Sequence, residues 1–307
     1  MQRSELKSKF LKSEITKPEY ILSMYDKHKE LLEYAEFIKN TDIAKIEITD
    51  SSIVMTTREM NIRLTVDFQD RRIIPLEILN FDSYEKAELD SIVSIMKKNM
   101  RDGFTFLDIG ANIGWYSINL GKKFPDINIY SFEPIPKTFG YLKNNIEANN
   151  ISNARINNFG FSEKKDTLKF YYYPEESGNA SLANLSGSAN VEEITCNVMK
   201  ADDFARENNL KIDFIKCDVE GAELFVFKGA EEILRESRPI IFSEMLRKWS
   251  AKFDYHPNDM IDYFKSLDYQ TFVIDESGSL KEFGLVDENT KETNYYFIPI
   301  EKISNCL

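Results

Sequence analysis

Between residues 18 and 39 the apolar positions recur at helical spacing: Ile21, Met24, Tyr25, Leu31, Leu32, Ala35 and Ile38 share one stripe, and most charges lie opposite. Pro18 suits the first turn of that helix. The stripe predicts a docking element or a homodimer contact, with His28 beside it a packed or solvated histidine rather than a ligand. From Ile43 to Leu79 the period drops to two, in Ile43-Ala-Lys-Ile-Glu-Ile, Ile53-Val-Met, Ile62-Arg-Leu-Thr-Val and Arg72-Ile-Ile, with Asp50-Ser-Ser as a turn. That alternation predicts a small antiparallel sheet. Residues 1–85 are therefore expected to form an N-terminal α+β accessory unit, and residues 86–307 the main domain. A helix capped by Ser83 is expected to run to about Met100, with Lys97 and Lys98 complementing its C-terminal dipole.

Beyond Gly103 the pattern changes to strands and helices by turns. Phe104 to Ile109 is a nearly continuous apolar run, as expected of a strand buried on both faces. Ile127–Phe132, Ala154–Phe161, Ile212–Cys217 and Pro239–Ser243 repeat that theme, and 271–274 and 295–300 close it. Helical spacing follows Trp115 and fills 136–149, 222–234 and 258–267. Leu168–Tyr173 and Ile194–Met199 read as added strands flanking a Gly/Ser-rich loop over 175–190. Alternating β and α of this kind predicts an α/β fold with a doubly wound, Rossmann-like parallel sheet.

The strand ends carry the candidate chemistry. The first runs into Asp108-x-Gly110-x-Asn112-x-Gly114 before Trp115, and the second ends in Glu133-Pro134. Glycine lets backbone approach a ligand closely, and a helix start offers free N–H groups to an anion. A dinucleotide turn needs Gly-x-Gly-x-x-Gly, and the third glycine is missing. An acid, a Gly-x-x-x-Gly turn and a second acid one strand later are similar to the S-adenosylmethionine site of class I methyltransferases. The Glu133 carboxylate is placed to accept both hydrogen bonds of a ribose diol.

Charge and cysteine usage narrow the classes. A formal charge of −12 argues against broad binding to nucleic-acid phosphates. Cys196, Cys217 and Cys306 are odd in number and widely spaced, so a disulfide framework is not expected, and a reducing cytoplasm is the default. No stretch approaches the length of a membrane span, and no signal peptide is read at the start.

Taken together, Leu107-Asp-Ile-Gly-Ala-Asn-Ile-Gly114, Phe132-Glu-Pro134, Asp213-Phe-Ile-Lys-Cys-Asp-Val-Glu-Gly-Ala-Glu223, Lys228-Gly-Ala230 and Pro239-Ile-Ile-Phe-Ser-Glu244 closely resemble the FkbM family of S-adenosylmethionine-dependent methyltransferases. The likeness covers roughly residues 80 to 250. Cys217 departs from it, where many relatives carry Ile or Leu. The resemblance implies a seven-stranded class I methyltransferase sheet and O-methylation of a hydroxyl on a sugar, glycan precursor or natural product. A nicotinamide-dependent oxidoreductase on a similar sheet, and a cofactor-binding module without chemistry, are the competing readings.

Asp108, Gly110, Asn112 and Gly114 are assigned to the methionine end of the cofactor and to the turn, with loop capping as the plainer role for Asp108. Trp115 reads equally as a cofactor contact and as core, alongside Tyr116. Asn158 and Phe159, with Asn157, lie where adenine would be flanked. Asp218 and Glu220 sit two apart at the fourth strand tip and so point to one side. Their repulsion can raise one pKa and make a base. They equally suit Mg²⁺ through oxygen, or the start of the next helix. Glu244 and His256 are further base candidates. His256 has the better intrinsic pKa, yet Tyr255-His-Pro257 also reads as a loop before a helix, and that reading is preferred. Tyr84 and Glu85 are a minor candidate pair, and Asn179-Ala-Ser181 a wall over the acceptor.

Overall fold

The computed structural model describes residues 3–184, 191–275 and 277–307; part of the expected 175–190 loop, residues 185–190, lies outside them. Two helices open the chain, α1 (Arg3–Leu11) and α2 (Lys17–Phe37). Thr16 and Glu19 cap α2 reciprocally. Leu6 is buried and Phe10 stacks on Tyr20, so α1 folds back on α2. No residue of α2 is buried, however, and Ile21, Leu31 and Leu32 are each more than half exposed. The apolar stripe faces solvent.

Strands β1 (Ile43–Ile48), β2 (Ile53–Thr57) and β3 (Arg63–Thr65) form the expected antiparallel sheet. Its inner face, Ile43, Met55, Ile62 and Leu64, joins one hydrophobic cluster with Ile92, Met96, Ile118 and Leu142. The period-two reading fails at Arg72-Ile-Ile. There Pro75 sits in the first turn of α3 (Ile74–Phe81), which buries Ile74, Ile78 and Leu79. The Ser83 cap also fails. Helix α4 (Lys86–Asn99) begins after Glu85, whose backbone is left-handed at φ 43°. Tyr84 is held edge-on to Trp115 and Glu85 accepts a hydrogen bond from Tyr116, so tertiary contacts displace the helix start.

The main sheet contains β4 (Thr105–Ile109), β5 (Asn128–Phe132), β6 (Ala154–Asn157), β10 (Phe214–Cys217), β11 (Ile240–Glu244), β12 (Tyr269–Ile274), β13 (Leu280–Glu282) and β14 (Asn294–Pro299). Between them in the chain run β7 (Gly160–Phe161), β8 (Asp166–Tyr172) and β9 (Glu192–Met199), which make a separate three-stranded sheet. The main order is β13-β12-β14-β11-β10-β4-β5-β6. The five strands from β11 to β6 are parallel, and β14 is inserted antiparallel between β11 and β12. This is the Rossmann-like class I methyltransferase sheet that the sequence implies, extended by β13. Strand order reverses between β4 and β10, so their carboxyl ends open the crevice where such sheets bind ligands.

The helices are α5 (Trp115–Lys123), α6 (Pro136–Ala148), α7 (Ala201–Glu207), α8 (Glu223–Lys228), α9 (Glu231–Glu236), α10 (Arg247–Ser250), α11 (Pro257–Lys265) and α12 (Ile303–Cys306). Asn145 on α6 and Asn149 at its C-cap accept from the backbone of Thr65 and Arg63, which ties the edge of β3 to the main sheet. Two further expectations fail. The third strand ends at Asn157, and Gly160–Phe161 pairs instead with β9. The helix expected over 222–234 is two, broken at Gly229. The Ser162 carbonyl lies 2.1 Å from where a Cβ on Gly229 would stand, so the chain turns there around a neighbour.

Candidate active site

A cleft of about 870 Å³ lies at the switch point, floored by the β4 turn and by the tips of β5 and β10. A second cavity of about 860 Å³ shares Tyr84, Glu85, Asn112, Asp218 and Glu220 with it. The two are halves of one cleft. Aromatic and aliphatic side chains line the first together with several charged ones.

In the first half, Gly110 and Ala111 donate their N–H groups to the Phe132 carbonyl, which locks the turn against β5. Gly110 is required by packing: its φ is +76°, and an added Cβ would stand 1.8 Å from the Asp218 carbonyl. Gly114 caps α5 in the left-handed region and packs on Leu142; it does not line the cleft. Asp108 lies beneath the wall, fully buried, where Oδ2 accepts from Ser117 Oγ at 2.5 Å. Burial pushes its pKa up. Among the described residues its other oxygen has no partner, nor have Asn112 Oδ1 and Trp115 Nε1, which belong to cleft-lining residues. Glu133 lines the cleft. Its two oxygens accept from Ile135 N at 2.9 Å and Asn112 N at 3.1 Å, and burial raises its pKa to about 7.

Unpartnered buried acceptors and donors beside an acid at the second strand tip fit a ligand with its own charged and polar groups. S-adenosylmethionine is a ligand of that kind, and Glu133, Asn112 and Trp115 line the cleft together with the apolar Phe132, Phe161 and Ile135. Asn158 and Phe159 do not reach the cleft. Asn158 is spent on the carbonyls of Glu133 and Pro134, and Phe159 packs on Phe161 and Phe204.

The second half is acidic. Oxygens of Asp218, Glu220 and Glu244 lie within 4.8 Å of one another. Glu220 has a left-handed backbone, φ 56°, and its carbonyl accepts from Ser181 Oγ. Burial, and then the Asp218 charge, push the pKa values of Glu220 and Glu244 well above the usual carboxylate range. The helix-start role goes to Glu223, which accepts from Val219 and Gly221 N–H and is raised by burial to about 7. Asp218 and Glu220 are thereby left to face the cleft. Arg72, Lys248 and Trp249 line this half too.

His256 is not brought here. Its Nδ1 accepts from Asn258 N–H and caps α11 with Asp259 at an exposed position. The expected Asn179-Ala-Ser181 wall over the acceptor is instead a segment whose Ala180 lines the first half with Ser177, Gly178 and Leu182, and whose Ser181 donates to the Glu220 carbonyl. It is pinned by Ser177 donating to Asp70 and by Arg71 N–H donating to Glu175. The sequence reading passed over Lys216, which lines the first half; a charge two positions before Asp218 in an otherwise apolar strand was the available signal.

A family model described as the methyltransferase FkbM domain matches residues 108–271. Methyltransferase 1 of Beauveria bassiana (strain ARSEF 2860) is 29% identical over 149 residues, covering 43% of this chain and 60% of that protein. Hexuronic acid methyltransferase AglP of Haloferax volcanii is 26% identical over 157 residues, covering 51% and 62%. The matches thus span about three fifths of these relatives' own length. A crystal structure of methyltransferase FkbM from Methylobacillus flagellatus KT aligns over 71% of this chain and 52% of its own, at 19% identity and a TM-score of 0.43.

Proposed function

Because the chain belongs to the methyltransferase FkbM domain family, we propose that it is an S-adenosylmethionine-dependent O-methyltransferase acting on a hydroxyl of a sugar, glycan precursor or related small molecule. The observation that carries this reading is the continuity of the cleft. A half suited to a nucleoside and a half lined by carboxylates meet at Asn112, Asp218 and Glu220. The Haloferax relative, a hexuronic acid methyltransferase, supports a carbohydrate acceptor.

When bound, S-adenosylmethionine supplies a methyl group already activated on a sulfonium, so no covalent nucleophile is required of the protein. What remains is positioning, and relief of the acceptor hydroxyl of its proton. Glu133 holds the ribose. Tyr84, Trp115 and the 177–182 segment wall off water. Glu220 lines both halves and serves as the acceptor's base, while burial and then the Asp218 charge keep its pKa high. A carboxylate whose pKa is raised is a stronger base than an ordinary one.

The spacing of the three carboxylates favours one variant: an all-oxygen donor set of this kind suits Mg²⁺, with Glu220 then ligating the ion. Turnover that survives exhaustive EDTA dialysis eliminates that variant. The central test is titration calorimetry with S-adenosylmethionine and its demethylated product, followed by transfer assays on a panel of sugars and natural-product alcohols. Binding in the micromolar range is expected; no heat at millimolar ligand ends the reading.

A further inference from the structure

The wall of the first cleft half presents four carboxylates, Glu85, Glu133, Asp218 and Glu220, and one cation among the described residues, Lys216. Lys216 is paired in register with Asp108 across β10 and β4 and is only 5% exposed. Its Nζ donates to the Gly110 carbonyl and to Asp218 Oδ2, both at 3.2 Å, and stands 5.3 Å from the Tyr116 ring centroid. An ammonium has three N–H donors, so one is left over. S-adenosylmethionine ends in an ammonium and a carboxylate. The ammonium finds acceptors readily, at Asn112 Oδ1, Glu85 or Asp218. A carboxylate entering a wall of carboxylates is costly unless it meets a buried cation.

We propose that Lys216 binds the carboxylate at the methionyl end of the cofactor, while it ties the Gly110 turn to the β10 tip; this rests on the methyl-donor reading above. The acids of the second half face the sulfonium and the acceptor, whereas Lys216 reads a group remote from the reacting centre. Its removal should therefore weaken S-adenosylmethionine and its demethylated product alike.

The test compares S-adenosylmethionine with decarboxylated S-adenosylmethionine, which keeps the ammonium and the sulfonium, by calorimetry on the wild type, Lys216→Met and Lys216→Arg. A charge-assisted pair at a buried site predicts that the wild type binds the decarboxylated form about 10- to 100-fold more weakly. Lys216→Met should lose a similar factor for the intact cofactor and bring the two ligands within about threefold, the closing of a double-mutant cycle. Lys216→Arg should keep discrimination above about threefold, with melting curves reporting the fold of each variant. Equal affinity of the wild type for both ligands overturns the assignment without any variant, and so does a Lys216→Met loss that is the same for both. A wild type that binds neither ligand instead removes the methyl-donor reading itself.

Discussion

The two halves of the cleft are built from the same kind of element, a buried parallel strand ending in an acid, and they are finished very differently. In the half around Glu133 and Asp108, two backbone amides donate to Glu133 and Ser117 donates to one oxygen of Asp108, while Asp108 Oδ1, Asn112 Oδ1 and Trp115 Nε1 have no partner among the described residues. In the half around Glu220 and Glu244, neither carboxylate accepts a hydrogen bond among the described residues, and both stand beside Asp218. The first half is organised before any ligand arrives. The second holds like charges at close range and stays ready to take up a proton or a cation. The cleft is thus divided along the line from Asn112 to Asp218, with hydrogen-bonded acids on one side and crowded like charges on the other.

The sharpest way to break that division is Glu220→Gln. As the acceptor's base it should lower kcat by about 10²- to 10⁴-fold, with cofactor affinity by calorimetry changed by less than about threefold. An equal loss in both quantities places Glu220 in binding and erases the contrast. Next in size is Gly110→Ala, whose Cβ would collide with the Asp218 carbonyl. It should cost about 3 kcal/mol in urea denaturation and abolish cofactor binding, because the turn joins the two halves.

A smaller effect follows from Glu133. A carboxyl whose folded pKa is raised holds its proton where the unfolded chain has already lost it. The stability it contributes is full below about 4.5 and fades as pH rises through about 7. The ligand-free protein should therefore melt at lower temperature at pH 7.5 than at pH 5, by up to about 2 kcal/mol for this group, and Glu133→Gln should flatten that slope. A ribose diol favours the ionised carboxylate, so cofactor binding should release protons below pH 7, seen as buffer-dependent heats. The smallest effect is expected far from the cleft. Leu31→Glu on the solvent-facing stripe of α2 should shift stability by less than about 0.5 kcal/mol, and a larger change would mean that α2 is buried in an assembly.

Much of this was legible in the chain itself, for identifiable reasons. Buried parallel strands announce themselves as short apolar runs, and glycine spacing after Asp108 distinguishes one kind of nucleotide turn from another, since both signals are local. The tertiary structure overruled local signals where a distant partner was stronger. Tyr84 and Glu85 are taken by Trp115 and Tyr116, so Ser83 loses its cap, and Asn158 is consumed by the carbonyls of Glu133 and Pro134. His256, attractive by intrinsic pKa alone, is occupied in capping a helix.

By itself the sequence determined the alternation of strands and helices from Phe104 onward, the Asp108 turn, the acid at Glu133 and the Asp218-x-Glu220 pair, because each depends on neighbours within one or two turns of chain. Only the tertiary structure decided which acids share a wall. It set Glu244 from β11 beside Glu220, placed Lys216 among carboxylates from three strands, folded the 177–182 segment over them and left the α2 stripe facing water. Burial, and charges from remote segments, fix what those groups can do, and neither is written in sequence spacing.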